Sequence, residues 1–559
     1  MFRLKSLLTG GVIATLLVTS AFAKRGADGI VKILNWQAPS MMNPYLAGGD
    51  KEVIAASLVL EPLAGYDDNG VLFPRLAAEI PTVENGGVAE DLKSITWKLK
   101  SGLKWSDGSP VTSKDVVFTA NYCMDPKVGC AALAGFQGVD KVEALDDLTV
   151  KVTFKEPTGV PYTLFVSQWS PIIQANQFAD CLSAKAPTCT EANFYPIGTG
   201  PFVVTSFKPN DAIQLKANPN YRDANKPAFA EVNVKGGGDA LGAARAVLQT
   251  GEYDYALNLQ LAPDVLSEME KGDKGKAGFT FGTTVEFLFM NLTDPSPSLP
   301  PEERSTAKHP HPILSDVRVR KALSMALDRA RLSDIGYGSM GKPTCDFVPA
   351  PPIFAAGSTS CLQQDIPGAK RLLDEAGWRQ GPDGIRGKDG EKLKLTLVTT
   401  TNPVRNQFQA IIKQWWHDIG VEVELRSIDA SVFFGSDPSN PETYSNFYAD
   451  AQMWANYFSG SDPGAYAESY TCGQSHGSNT PRYCDTNYDA LVTELGKTAD
   501  IEKRGEIVKK LNTILMDSYA IMPLVWRAGV SGISNTLGGT ASNAWDSELW
   551  NAQDWYRNK

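Results

Sequence analysis

The chain has 559 residues, 43% of them hydrophobic and 21% charged, with a formal net charge of −10. That length buries an ample core and divides into two or three lobes. The acidic balance, without any basic cluster, argues against nucleic acid or an anionic membrane surface as partner, and four histidines without zinc-type spacing, in a chain lacking Cys-x-x-Cys, argue against a metal site.

In chain order, Arg3 and Lys5 precede an apolar run from Leu7 to Val18 and a small-x-small site at Ala21-Phe22-Ala23. This pattern predicts a signal peptide over residues 1–23 and a mature start near Lys24. The apolar run is too short for a stable transmembrane helix. Its first following cysteine is Cys123, so no lipid acceptor lies at the cut. A periplasmic protein, not a lipoprotein, is the expectation.

Val31 to Trp36 reads as a first buried strand, followed by a turn-rich stretch with Asn43-Pro44-Tyr45 at its middle. A hairpin turn closes at Gly70. From Ile95 the alternation of apolar and polar residues predicts a half-exposed strand, then an Asp107-Gly108 turn and a helix through Tyr122 capped by Thr112 or Ser113. Val142 to Phe154 forms a β-hairpin. Pro196 to Phe202 is a tight bend that needs Gly198 and Gly200 for close backbone approach.

A helix over 240–250 and a strand at 253–256 follow, and Phe287 to Leu292 is a further strand. Residues 310–330 fit one amphipathic helix, with Val319, Leu323, Ala326, Leu327 and Ala330 on the apolar face and Arg318, Arg320, Lys321 and Arg329 on the other. Helices at 368–377 and 406–419 then alternate with strands at 393–398, 421–425 and 521–525. Alternating strands and helices predict an α/β fold with a parallel or mixed sheet. Trp545, Trp550 and Trp555 are expected to pin the tail onto the first lobe.

The eight cysteines fall as near neighbours: Cys123 with Cys130, Cys181 with Cys189, Cys345 with Cys361, and Cys472 with Cys484. Sequence leaves the connectivity open, but four local bridges is the simplest set. Each contributes about 2 to 3 kcal/mol if unstrained.

Two near-matches to enzyme motifs occur. Gly473 to Gly477 fits G-x-S-x-G, whose chemistry requires a strand-to-helix turn; here it lies inside the Cys472 to Cys484 loop. An exported serine hydrolase using Ser475 is therefore the alternative of another class. Gly336 to Lys342 resembles a phosphate-binding loop, but Pro343 stands where a hydroxyl must bind magnesium. No catalytic residue is supported, and the expectation is that the protein is not an enzyme.

Several blocks resemble, in order, the extracellular solute-binding proteins of family 5, which serve peptide-type ABC importers. They are the Asn43-Pro44 turn, Trp105-Ser106-Asp107-Gly108-Ser109-Pro110, the bend at 196–202, residues 310–330, and Ala451 to Tyr466. The resemblance implies a two-lobed periplasmic binding protein of type II, in the large peptide-type class, with an extra domain inserted in the first lobe. The implied division is lobe I from 24–63 with 196–286 and 526–559, the inserted domain at 64–195, and lobe II at 287–525.

It also implies hinge closure on a small solute, delivery to an ABC permease and its ATPase, a monomer, and no cofactor. Trp454 matches a tryptophan beside the family's cleft, and Asp462-Pro463 matches a following turn. Peptide binders carry an aspartate three residues after that tryptophan to pair with the peptide ammonium. Here the position is Tyr457, beside Asn456, a neutral aromatic that supplies no salt bridge; this departure weakens the expectation of free-N-terminus recognition, with Asp462 or another carboxylate as the candidate replacement. Trp36, Asn43, Tyr45 and Trp169 are the further ligand-facing candidates. Rings with neutral polar groups also suit an oligosaccharide, and the solute's class stays open, as between peptide, oligosaccharide and other organic molecule. Strands near Phe287 to Asn291 and Ile521 to Val525 are the expected hinge.

Overall fold

A computed structural model describes residues 24–35, 37–47, 49–136, 138–236, 239–435, 439–474 and 477–558. The signal-peptide expectation for residues 1–23, Trp36 and Ser475 lie outside them.

An 11-stranded mixed sheet organises the chain. Its strands are numbered here in chain order: β1 (Ile30–Asn35), β2 (Phe202–Lys208), β3 (Ala212–Ala217), β4 (Glu231–Gly236), β5 (Tyr255–Leu257), β6 (Gly275–Met290), β7 (Gly341–Pro343), β8 (Lys394–Thr400), β9 (Glu422–Ile428), β10 (Ala451–Asn456) and β11 (Ile521–Ser534). The spatial order is β9-β8-β10-β6-β11-β5-β1-β4-β3-β2, with β7 added on β11. The long strands β6 and β11 run antiparallel and belong to both halves. Gly275 to Phe281 pairs with Ala528 to Ser534 on one side, and Val285 to Phe289 with Ile521 to Trp526 on the other.

Pairing between β6 and β11 is interrupted between Phe281 and Val285. Phe287 to Met290, by contrast, is held on its other edge by β10. The register shifts again between Glu286 and Phe287, opposite Val525 and Pro523, so the irregular span reaches the strands that the sequence singled out as hinge.

Burial on both faces follows from the two-residue period of the strands. Leu288 and Met290 join an apolar core with Leu323, Phe408 and Trp416. Phe287 and Phe289 point the other way, into a core with Trp454, Tyr466 and Leu511. The opposite half repeats the arrangement, with Ile33, Val234 and Tyr255 on one face and Leu34, Ala256 and Val247 on the other.

Helix α1 (Asp50–Ala56) follows β1. The predicted single helix over 310–330 is instead two, α2 (Val317–Met325) and α3 (Arg329–Gly336), each started by an aspartate, Asp316 and Asp328, whose side chain accepts a backbone N–H. Two of its arginines are not on a solvated face. Arg320 is 6% and Arg329 1% exposed. Arg320 donates to the carbonyls of Ser518 and Leu314, and Arg329 to those of Pro523 and Cys361. A guanidinium whose N–H groups all find oxygens can be buried, a possibility that periodicity of charge does not register.

Helix α4 (Pro403–Asp418) shows the expected logic. Asn402 caps it by accepting the Arg405 N–H at 3.1 Å, with proline at the first helical position. Val404, Phe408, Ile412 and Trp416, at four-residue spacing, fill the core beneath it.

Residues 94–98, 139–146 and 149–154 form a separate three-stranded antiparallel sheet. A helix at Ser113–Met124 packs there with its own apolar core. Thr112 is its cap, and its N–H is accepted by Asp115 at 2.9 Å. At the bend before β2, a Cβ on Gly198 would lie 1.9 Å from the Val59 carbonyl oxygen, so only glycine fits that approach.

All four local disulfides are present, with Cα separations of 5.1, 5.7, 5.7 and 4.5 Å in chain order. In the tail Trp555 stacks on Tyr255 at 4.9 Å. Trp550 packs instead on Phe73, and Trp545 over Gly70, both on the hairpin that opens the 64–195 segment. The tail thus ties two parts of the molecule together. Among the described residues no helix is long and apolar enough to cross a membrane.

Candidate functional site

Between the two halves of the sheet lies a cavity of about 550 Å³. A neighbouring chamber of about 570 Å³ shares Gln37, Gly49, Lys51, Asn258, Gln260 and Phe434 with it. Their size suits a small organic molecule.

The floor comes from β11. Arg527, Gly529 and Ser531 alternate along the strand and line the cavity, while Ala528 and Val530 turn into the core behind. The roof is the end of β10 and the loop after it, Trp454 to Ser459. One wall is Asp50 at the start of α1 together with Asp546 and Glu548 of the tail, and Gln168 and Trp169 close the side.

Several hydrogen bonds cross from one half to the other. Tyr457 Oη donates to Asp50 Oδ1 at 2.6 Å, Asn402 Nδ2 to Gln260 Oε1 at 2.8 Å, and the Gly460 N–H to the Trp545 carbonyl at 2.7 Å. These contacts bridge the two halves beside the cavity.

A buried charge cluster holds the floor. Glu286, 0% exposed on β6, accepts Arg405 Nε at 3.0 Å, Arg527 Nε at 3.0 Å and Tyr337 Oη at 2.9 Å. Burial alone would raise its carboxyl. The charges of Arg405 and Arg527, with hydrogen bonds from Arg405 and Tyr337, reverse that and hold it down at about 2.

The acids facing the cavity behave oppositely. Desolvation by the surrounding protein pushes Asp50 up, against the Tyr457 hydrogen bond and the charge of Arg527, although its side chain stays open to solvent. Enclosure raises Glu548 to about 7, helped by the charge of Asp50 and opposed by Ser531 and Arg527. Ser531 Oγ donates to Glu548 Oε2 at 2.7 Å. Asp546 is also raised by burial but is satisfied by backbone, accepting the N–H groups of Tyr66, Gln168 and Ser547.

The expected ligand residues fare unequally. Trp454, 8% exposed, stacks on Phe289 at 4.3 Å and meets the ring of Tyr444 edge-on at 5.3 Å; it lines the cavity, and its indole Nε1 has no partner among the described residues. Asn456, Tyr457 and Trp169 line the cavity as well.

Asn43 and Tyr45 do not. Both are 0% exposed: Asn43 Nδ2 donates to Asn193 Oδ1 at 2.9 Å and Tyr45 Oη to the Pro171 carbonyl at 2.5 Å. Their polar groups lock the Asn-Pro turn into the core. Asp462 is not available as an ammonium acceptor either, because Arg504 engages both of its oxygens at 2.6 and 2.8 Å. It turns the chain at Gly464 and anchors that turn to the helix at Ile501–Ser518.

Asp50, Glu548, Arg405, Arg527 and Glu286 were not singled out by sequence. No local pattern marks them, since they come from five separated segments. The Gly336 to Lys342 segment ends α3 and enters β7, with no helix beginning after it. Among the described residues no group of three or more His, Cys, Asp or Glu could hold a metal ion.

Residues 72–478 match the family model described as bacterial extracellular solute-binding proteins, family 5 middle. Protein XP55 of Streptomyces lividans is 29% identical over 361 residues, which are 64% of this chain and 59% of that protein. The glutathione-binding protein GsiB of Escherichia coli strain K12 is 24% identical over 536 residues, 95% of this chain and 94% of that one. The solved structure of the oligopeptide-binding protein AppA from Bacillus subtilis, in complex with a nonapeptide, superposes with a TM-score of 0.79 at 21% identity, over 96% of this chain and 100% of the other.

Proposed function

The chain belongs to the bacterial extracellular solute-binding proteins of family 5, and from that membership we propose that it captures a peptide or similar organic solute in the cleft and delivers it to the membrane permease of an ABC importer. Capture involves no chemistry on the solute. Export through residues 1–23 would place the mature protein in the periplasm as a monomer.

The observation that carries this reading is the cavity of about 550 Å³ lined from both sides of the sheet and bridged by Tyr457 and Asp50. Closure is favoured only by a ligand that binds the closed form more strongly than the open one. Contacts from both sides supply that difference. We read lobe I as 24–63 with 196–286 and 526–559, the inserted domain as 64–195, and lobe II as 287–525. The interrupted pairing between Phe281 and Val285 supports a hinge there, with Trp526 to Ala528 as its partner.

The peptide class is favoured by the relatives, which include a glutathione-binding protein. A thermal-shift screen across peptides, oligosaccharides and other organic solutes tests it. A ligand at about 100 times its Kd adds about 2.7 kcal/mol of apparent stability. Stabilisation by peptides, with compaction in small-angle scattering, is the expected result. Stabilisation by oligosaccharides alone would move the solute class, and a screen without any hit would overturn capture.

A further inference from the structure

We infer that the solute carries a cationic group, an ammonium or a guanidinium, received by Asp50 and Glu548 from the lobe I side of the cavity rather than by an acid following Trp454. The inference rests on the solute-capture reading and names the chemistry of that site.

Three observations converge. First, Asp50 and Glu548 each make one side-chain hydrogen bond within the protein, to Tyr457 and Ser531, and neither has an ion pair among the described residues. Elsewhere the chain neutralises its enclosed acids internally: Glu61 with Arg222 at 2.6 Å, Asp462 with Arg504 at 2.6 Å, and Glu286 with two arginines. Asp50, solvent-exposed, and Glu548, half-buried, face one cavity as like charges that repel each other, with no ion pair of their own among the described residues. A cation from outside relieves that repulsion.

Second, the cations on the cavity wall are already engaged. Arg405 and Arg527 are bound to Glu286 at 3.0 Å, and Lys51 to the neighbouring Glu52. Arg527 faces both acids yet makes an ion pair with neither. Glu286 and Glu52 leave one positive charge over among these three cations, and the three acids on the wall, Asp50, Asp546 and Glu548, outweigh it, so the balance is negative.

Third, the Gln168 side chain, 6% exposed and lining the same cavity, has a buried carbonyl oxygen without a partner among the described residues. That atom can only accept, as a cationic N–H donor requires. The faces of Trp169 and Tyr457 add the ring quadrupole that favours cations.

Isothermal titration calorimetry and small-angle scattering with four tripeptides test the inference: Ala-Ala-Ala, its N-acetyl form, N-acetyl-Ala-Lys-Ala and Ala-Lys-Ala. The two cation sources, chain terminus and side chain, are thereby separated. Binding at least tenfold tighter to a cationic probe than to the acetylated neutral one, with that preference falling tenfold or more in both D50N and E548Q, supports the inference. E548Q leaves the Tyr457 contact intact, and unchanged thermal unfolding of each unliganded variant shows that it folds.

Equal binding and closure with the neutral probe, or an undiminished preference in both variants, overturns this inference and leaves capture standing. Closure with none of the four overturns the peptide reading together with it.

Discussion

Tyr457 and Asp50, 407 residues apart, meet across the cleft through a hydrogen bond of 2.6 Å. Tyr457 occupies the position where peptide binders carry an aspartate. The acid is thus supplied from the opposite wall, and the tyrosine hydroxyl closes on it. Tyr457→Phe removes the hydroxyl without changing the ring. A hydrogen bond to a carboxylate contributes about 1.5 to 3 kcal/mol, so solute affinity should fall about ten- to hundredfold by calorimetry, with less compaction in small-angle scattering. Unaltered affinity would show that the contact does not stabilise closure.

Glu286 connects β6, β11 and α4 at the centre of the molecule. Glu286→Ala leaves Arg405 and Arg527 buried without a counter-charge, a loss of about 3 to 5 kcal/mol, measurable as a lower midpoint in urea. Its folded carboxyl is held at about 2, against an ordinary 4.5. The corresponding stability is complete above pH 4.5 and is lost as pH falls toward 2.

Glu548 has the opposite sign. Its folded value of about 7 lies above the ordinary 4.5, so the folded protein holds a proton that the unfolded chain has released, and stability from this group declines as pH rises from 4.5 to 7. A bound cation favours the ionised carboxylate. Affinity for a cationic solute should therefore rise between pH 6 and 8 with release of a proton, and E548Q should flatten the profile. Asp50 and Arg527 face the same group and oppose each other in setting its midpoint, beside the neutral hydroxyls of Ser531, Tyr255 and Tyr457. Calorimetry in buffers of different ionisation enthalpy measures the proton.

Trp454 serves both core and cavity. Trp454→Ala should cost about 3 to 5 kcal/mol of stability, through loss of the Phe289 stack, and abolish solute-induced stabilisation. Trp454→Phe keeps an aromatic ring against Phe289 while deleting the unpartnered indole N–H. A variant that remains folded but binds more weakly would assign that N–H to the solute. One that binds as before would leave Trp454 a packing residue.

Much of the architecture could be read from residue order. The Asp107-Gly108 turn, the glycines at 198 and 200 and the existence of α4, though not its start at Pro403, each follow from local backbone geometry and periodicity, and the family blocks occur in sequence along the chain. Local rules failed where a polar group finds its partner at a distance. Arg320 and Arg329 read as solvated because their helical face is charged, yet Ser518 and Pro523 carbonyls, far along the chain, bury them. Asn43, Tyr45 and Asp462 read as ligand groups for the converse reason, since Asn193, Pro171 and Arg504 already engage them.

Sequence by itself determined the α/β class and the near-neighbour cysteine pairs, because these depend on spacing within short segments, while the family, and with it the expectation for Trp454, came from blocks that resemble it in order. Tertiary structure alone decided which charges face the cavity. Asp50 and Glu548 are ordinary surface residues in sequence, and only the packing of α1, β11 and the tail brings them to one cavity without an ion pair among the described residues. That electrostatic imbalance arises from juxtaposition in space, which no local pattern encodes.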